Sequence, residues 1–239
     1  MPHLHRFYQP EAPPLSGSVA LSSEEAHHAL RVLRVRTGDA VELFDGRGHA
    51  WTGTVGTLSR AEVTVTLTDE QFSPREQPGL TLAQAWLHRD KVLDDLVRDA
   101  TVLGVERICF FRASHSEKAP KLSAKWPRLM IESCKQCGRR WLPELTVAAS
   151  VTEVLRQSEG ACIAVAAMDG PHASFSAIQG ARPVVYFVGP EGDFSPDEME
   201  ALRGAGALPL TLGRYTLRSE AAATVGVTLI QHRLGRLGS

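Results

Sequence analysis

From residue 80 onward the sequence alternates two periodicities. Apolar runs of strand length, "LTLAQAWL", "RICFFRA", "ELTVAA", "ACIAVAAM", "PVVYFV" and "ALPLTL", alternate with segments of helical spacing. "DKVLDDLVRDATVLG" puts Leu93, Leu96, Val97, Ala100 and Leu103 on one face, as a helix packed on a sheet does. "SAKWPRLMIESCKQCGRR", with Pro127 near its start, and "SVTEVLRQ" read as further helices. A final helix runs from about Ser219 to Leu234. Strands joined through helices cannot be hairpin partners, so the pattern predicts an α/β fold with a parallel sheet and helices on its faces.

The first 72 residues have a different rhythm. "SSEEAHHALRVLR" reads as a short helix, with Ser22 as cap, Glu25 completing a capping box, and Ala26, Leu30 and Leu33 on one face. Short alternating strands follow: "AVELFD", the turn "DGRG", "HAWTGTVGTL", the turn "SRAE" and "EVTVTLTDE". Such strands with tight turns predict a small antiparallel β-barrel. "FSPREQPG", with two prolines and a glycine, reads as a linker. The expected domains are therefore 1–72 and 73–239.

Composition excludes several classes. At 43% hydrophobic and 22% charged residues the chain is an ordinary globular one. No apolar run reaches membrane-spanning length, and "MPHLHRFYQPEAPP" lacks the apolar core of a signal peptide, so a cytoplasmic protein is expected. Of the four cysteines, Cys134 and Cys137 form a C-x-x-C without the second pair a zinc site needs, and Cys109 and Cys162 sit in strand patterns. No metal is expected. The net charge is −1, yet residues 112–141 carry eight Lys or Arg against two Glu. That segment is a candidate phosphate-binding patch on a neutral body, or a solvated face.

In a parallel sheet, ligands bind beyond the carboxyl ends of the strands. Two such ends carry unusual loops. "GPEGDF" follows "PVVYFV", and "GRYTLR" follows "ALPLTL". The helix after the first is closely specified: Ser195 caps, Pro196 takes the first helical position, Glu198 completes the box, Phe194 and Met199 can staple, and Gly204 or Gly206 can end it. Neither the loop glycines nor Glu191 are needed for that. No G-x-G-x-x-G follows the first strand, and no P-loop or G-x-S-x-G elbow is present.

"VGPEGDFSPDE" and "LGRYTLRSEAA" together resemble the two C-terminal motifs of the bacterial small-subunit ribosomal RNA uridine N3-methyltransferases, of the SPOUT class. "HHALRVLRVRTGDAVELFDGRG" resembles that family's N-terminal PUA-like domain, "DKVLDDLVRDATVLGVERI" the first helix of its catalytic domain, and "ESCKQCGRR" its glutamine-containing helix end. The resemblance implies a PUA-like RNA-binding β-barrel, a SPOUT domain with a deep trefoil knot, a homodimer, and S-adenosyl-L-methionine as cofactor. Its substrate would be ribosomal RNA or the assembled small ribosomal subunit. By the same resemblance Val188, Gly189, Pro190, Glu191, Gly192, Leu212, Gly213, Thr216, Leu217 and Arg218 would hold the cofactor, with Gly189 and Gly192 letting main chain approach it. Asp193, Tyr215, Thr216 and Ala221 depart from the family pattern, and Tyr215 removes a cation.

The N3 of uracil carries a proton and is a poor nucleophile until it is lost, so a base and an anion stabiliser are required. Glu220 or Glu191 is the candidate base and Arg218 the candidate stabiliser; the bland alternative for Arg218 and Glu220 is a cap and salt bridge. Because helical residues two apart do not face each other, Arg218 is expected in the loop, with the helix starting at or after Ser219. Candidate RNA contacts are Arg6, Arg31 and Arg34 in the first domain, and Lys118, Lys121, Lys125, Gln136, Arg139 and Arg140 in the basic segment. A SPOUT enzyme with another target, such as a ribose hydroxyl, and a non-catalytic RNA-binding adaptor are the competing functions.

Overall fold

A computed structural model describes residues 4–11, 17–59, 62–167 and 173–238. Two compact units emerge: residues 1–75 with 131–142, and residues 76–130 with 143–239. A single cut near residue 72 misses the return of 131–142 to the first unit. That segment carries half of a helix whose pattern reads as continuous with the second unit, so periodicity could not reveal the division.

In the first unit, β1 (His5–Tyr8), β2 (Ser18–Ala20), β3 (Ala40–Phe44), β4 (His49–Leu58) and β5 (Val63–Phe72) form a sheet in the order β1-β3-β4-β5-β2. The pairing corrects two expectations. β1 runs parallel to β3, and among the described residues no ladder joins the edge strands β1 and β2 into a closed barrel. β5 also continues through Phe72, into the expected linker. The inward residues of the strands, among them Phe7, Val41, Leu43, Trp51, Val55 and Val65, make one core under α1 (Ser23–His28) and the π-helical turn Ala29–Leu33. Ser22 caps α1 by accepting from the Glu25 amide, but the Glu25 carboxylate does not return to the cap. It pairs instead with Lys135, both Oε atoms 3.1 Å from Nζ.

The second unit holds a six-stranded, all-parallel sheet in the order β11-β9-β10-β6-β7-β8. Its strands are β6 (Leu80–Ala85), β7 (Arg107–Phe111), β8 (Glu144–Ala148), β9 (Cys162–Ala166), β10 (Val184–Val188) and β11 (Leu208–Leu210). The helices are α2 (Asp90–Val102), α3 (Trp126–Cys137, crossing into the first unit), α4 (Val151–Gln157), α5 (Pro196–Gly204) and α6 (Ser219–Arg233). β6 and β10 are buried along nearly their whole length, as central parallel strands are. α6 packs on this sheet so closely that the Tyr186 hydroxyl donates to the Ala222 carbonyl at 3.0 Å. Gly226 makes that approach possible, because a Cβ there would lie 2.1 Å from the phenol oxygen.

Candidate active site

The carboxyl ends of β9 and β10 open onto a cavity of about 480 Å³, within the range of small-molecule sites. Its walls are the β10–α5 loop, the β11–α6 loop, the start of α6, and Arg89 and Val92 at the start of α2. One hydrogen-bond chain fixes these parts. The buried Gln84 amide donates to Ser219 Oγ at 2.9 Å, and Ser219 Oγ donates to the Gly189 carbonyl at 2.5 Å. Gln84 Oε1 is buried with no partner among the described residues.

The β10–α5 loop has a local logic. The Ser195–Glu198 capping box forms in full, with Pro196 at the first helical position. Glu198 also accepts from the Ser114 amide at 2.8 Å, so the box braces the loop after β7 as well. Phe194 is buried and stacks on Phe111 at 6.3 Å, in the same apolar cluster as Met199. Asp193 sits at φ 61°, where most side chains are strained but Asp is tolerated, and its Oδ1 accepts from the Phe194 amide at 2.8 Å. That conformation is one glycine adopts without strain, and the aspartate holds it through its own side chain.

Of the expected cofactor residues, Val188, Gly189, Pro190, Glu191, Leu212, Thr216, Leu217 and Arg218 line the cavity, together with Glu220. Gly192 does not. It faces a neighbouring cavity, where a Cβ would come 3.2 Å from His115 Cβ, so its small size serves loop packing rather than approach to the main cavity. Gly213 is also absent from the lining, and its φ of 139° accounts for it as a backbone requirement. Arg218 is the extended N-cap residue and α6 starts at Ser219, as two residues sharing one site require. Among the described residues neither the exposed Arg218 nor the half-buried Glu220 side chain makes an ion pair; both line the cavity, so the salt-bridge alternative is not what forms. The cation missing at Tyr215 reappears beside it, with the Arg214 guanidinium 4.6 Å from the Tyr215 ring centre. Sequence reasoning missed Arg89, Ala166, Ala167 and Ser219. Their signal was positional, since each lies at or just past the end of a strand, or at a helix start, on the same edge of the sheet.

The candidate RNA residues divide. Arg6 is buried, bonded to Glu42 at 2.7 Å and to the carbonyls of Cys134 and Arg139, so it holds the first unit together rather than offering a phosphate clamp. Arg140 shares Glu42 at 2.9 Å and bonds Gln71 and Ser73. Lys125 is drawn to Asp94 at 2.7 Å. Partial burial opposes ionisation of Asp94, but hydrogen bonds from Lys125 and Trp126 outweigh it and hold the carboxyl below its ordinary range. Arg31, Arg34, Lys118, Lys121 and Gln136 are exposed, and Arg139 is partly so. The basic segment is shared between the two units at residue 131. Among the described residues no cluster of His, Cys, Asp and Glu is placed to hold a metal. Burial pushes the Cys134 thiol up to about 12, and Cys137 is exposed and free. No helix is long and apolar enough to cross a membrane.

The family profile described as RNA methyltransferase domain matches residues 75–231, and that described as RNA methyltransferase PUA domain matches residues 21–68. The ribosomal RNA small subunit methyltransferase E of Aquifex aeolicus is 27% identical, the alignment covering 96% of this chain and 100% of that protein. The protein of the same name from Synechocystis sp. is 26% identical over 90% of this chain and 73% of its own length. A crystal structure of a ribosomal RNA small subunit methyltransferase E from Neisseria gonorrhoeae, bound to S-adenosylmethionine, superposes with a TM-score of 0.82 at 28% identity, covering 96% of this chain and 98% of that one.

Proposed function

The chain belongs to the RNA methyltransferase family, and on that premise we propose that it uses S-adenosylmethionine to methylate small-subunit ribosomal RNA at the N3 of a uridine. The observation that carries the proposal is the cavity at the sheet's carboxyl edge, where main chain from Val188 to Pro190 meets the unpaired side chains of Glu191, Arg218 and Glu220. Its donor set suits the cofactor. Val188, Leu212 and Leu217 offer apolar surface to an adenine, Arg218 suits a carboxylate, and Glu191 and Glu220 suit cationic groups. The relative solved with S-adenosylmethionine supports the same assignment.

Bound there, S-adenosylmethionine supplies an electrophilic methyl on a sulfonium, whose bonding electrons return to sulfur. The protein's own part is to bind the RNA, expose N3, remove its proton and stabilise the resulting charge. Glu191 and Glu220 are the carboxylates able to accept the proton, and Arg218 the cation able to stabilise a uracil anion. The proposal extends to the SPOUT class with a trefoil knot, to a homodimer, and to work in the cytoplasm on ribosomal RNA or the assembled small subunit. Arg31, Arg34, Lys118, Lys121 and Gln136, all exposed, and the half-buried Arg139 are its proposed RNA contacts.

The test is transfer of labelled methyl from S-adenosylmethionine by the purified protein to unmethylated small subunits and to free rRNA, followed by nucleoside digestion. Label in 3-methyluridine is expected. Label in a 2′-O-methyl nucleoside would reject the N3 assignment, and no transfer with intact cofactor binding would favour an adaptor.

A further inference from the structure

Beside the main cavity lies a second one, of about 320 Å³, and the two share Arg89 and Glu191. It is bounded by three loops at the sheet's carboxyl edge: Trp86–Arg89 after β6, His115–Lys118 after β7, and Glu191–Gly192 after β10. The wall is built rather than incidental. His115 Nδ1 lies 2.9 Å from the Asp193 carbonyl, which can only accept, so Nδ1 carries the proton and ties the second loop to the third. Ser116 Oγ donates to the Trp86 carbonyl at 3.1 Å and ties the second loop to the first. Among the described residues the Arg89 guanidinium, the Glu191 carboxylate and Lys118 have no ion-pair partner.

We propose that this second cavity receives the target pyrimidine, turned out of its stack, and that Glu191 and Arg89, at the junction of the two cavities, are the base and the anion stabiliser of the reaction. The proposal rests on the reading of the main cavity as the cofactor site. An enzyme that works on a base edge must take the base out of the helix, and needs a pocket beside the methyl donor to receive it. The reactive edge of uracil presents acceptor, donor, acceptor: O4, N3–H and O2. A carboxylate can meet N3–H and a guanidinium can meet a carbonyl oxygen. Cytosine has no N3–H to give, so the same pair selects uracil. Lys118, from the second of these loops, suits the attached phosphate. The N3–H proton passes to Glu191, and the electron pair left on N3 forms the bond to the methyl as the methyl–sulfur bond breaks. Arg89 bears the negative charge that spreads onto the oxygens. Glu220 and Arg218 line only the main cavity, which leaves them the cofactor's cationic groups and carboxylate rather than the roles of base and anion stabiliser.

The test uses full-length protein and unmethylated small subunits from cells lacking the gene. Glu191→Gln and Arg89→Gln should each slow single-turnover methylation on the order of a hundredfold. S-adenosylmethionine affinity by calorimetry should change far less. The Glu191→Gln loss should shrink at high pH, where uridine ionises unaided, and Arg89→Lys should recover part of the rate. Lys118→Ala should raise KM for the subunit more than it lowers kcat, and an unchanged KM would count against the target nucleotide entering this cavity. Full single-turnover rates in both Gln variants, or an Arg89→Gln loss explained wholly by weaker cofactor binding, would overturn the proposal. If the wild-type protein itself formed a product other than 3-methyluridine, the underlying function would fail instead. If it formed 3-methyluridine while the variants matched it, only the second cavity's role would fail.

Discussion

Ser219 Oγ donates to the Gly189 carbonyl at 2.5 Å while accepting from the Gln84 amide. One buried hydroxyl thus joins the ends of β6 and β10 to the first residue of α6. Ser219→Ala removes the hydroxyl donor from the part-buried Gly189 carbonyl and one of two acceptors from the buried Gln84 amide nitrogen, which keeps the Ala85 carbonyl at 3.0 Å, and should cost about 1–2 kcal/mol. Since Gly189 is also a wall of the main cavity, cofactor affinity should fall with it. Denaturant unfolding and calorimetry check the two effects. Wild-type stability in the variant would mean that the hydroxyl is dispensable.

Gly226 and Tyr186 give a packing test. A Cβ at 226 would lie 2.1 Å from the Tyr186 oxygen, 2.2 Å from Cζ and 2.4 Å from Cε1. Gly226→Ala should therefore destabilise by about 1–3 kcal/mol through overpacking, despite the better helix propensity of alanine. Tyr186→Phe should not rescue it, because ring carbons collide as well as the hydroxyl. Rescue by Phe would assign the whole effect to the hydroxyl.

Asp193 holds a left-handed backbone through its own side chain. Asp193→Gly should change stability by less than about 1 kcal/mol, the lost hydrogen bond offset by easier backbone geometry. Asp193→Val should cost about 1–3 kcal/mol. Thermal unfolding of the two variants should separate them clearly; equal melting temperatures would contradict the account of this loop.

Which parts of this fold were legible follows from what a linear pattern carries. The Ser195–Glu198 box, the parallel sheet and the start of α6 at Ser219 depend on neighbours in sequence, and they appear where spacing puts them. Arg6 was misread because its partners, Glu42, Cys134 and Arg139, lie far away along the chain, and an arginine in sequence looks solvated until its carboxylate is found. Glu25 was read as a capping residue for the same reason, since Lys135 is 110 residues distant. The pairing of β1 with β3 in parallel, and the role of Ser219 as a hydroxyl rather than a helix start, are likewise long-range facts. The packing of Gly192 against His115, which comes from another loop, is a further long-range contact.

The buried Glu25–Lys135 pair predicts a pH effect. Burial raises the Glu25 carboxyl above its ordinary 4.5, opposed by Lys135. A folded-state value above the unfolded one means that the folded protein holds the proton longer. The stability from this group is thus full below 4.5 and lost as pH rises through the raised value. The stability difference between wild type and Glu25→Gln should decline across that window in urea titrations. A flat or rising difference would contradict the burial argument.

The central claim is uridine N3 methylation of small-subunit rRNA. Mass spectrometry of nucleosides from small-subunit rRNA, in matched strains with and without the gene, tests it most directly. Loss of 3-methyluridine from the deletion strain, and its return with the wild-type gene, is the predicted result; 3-methyluridine at the same level in both strains would contradict it.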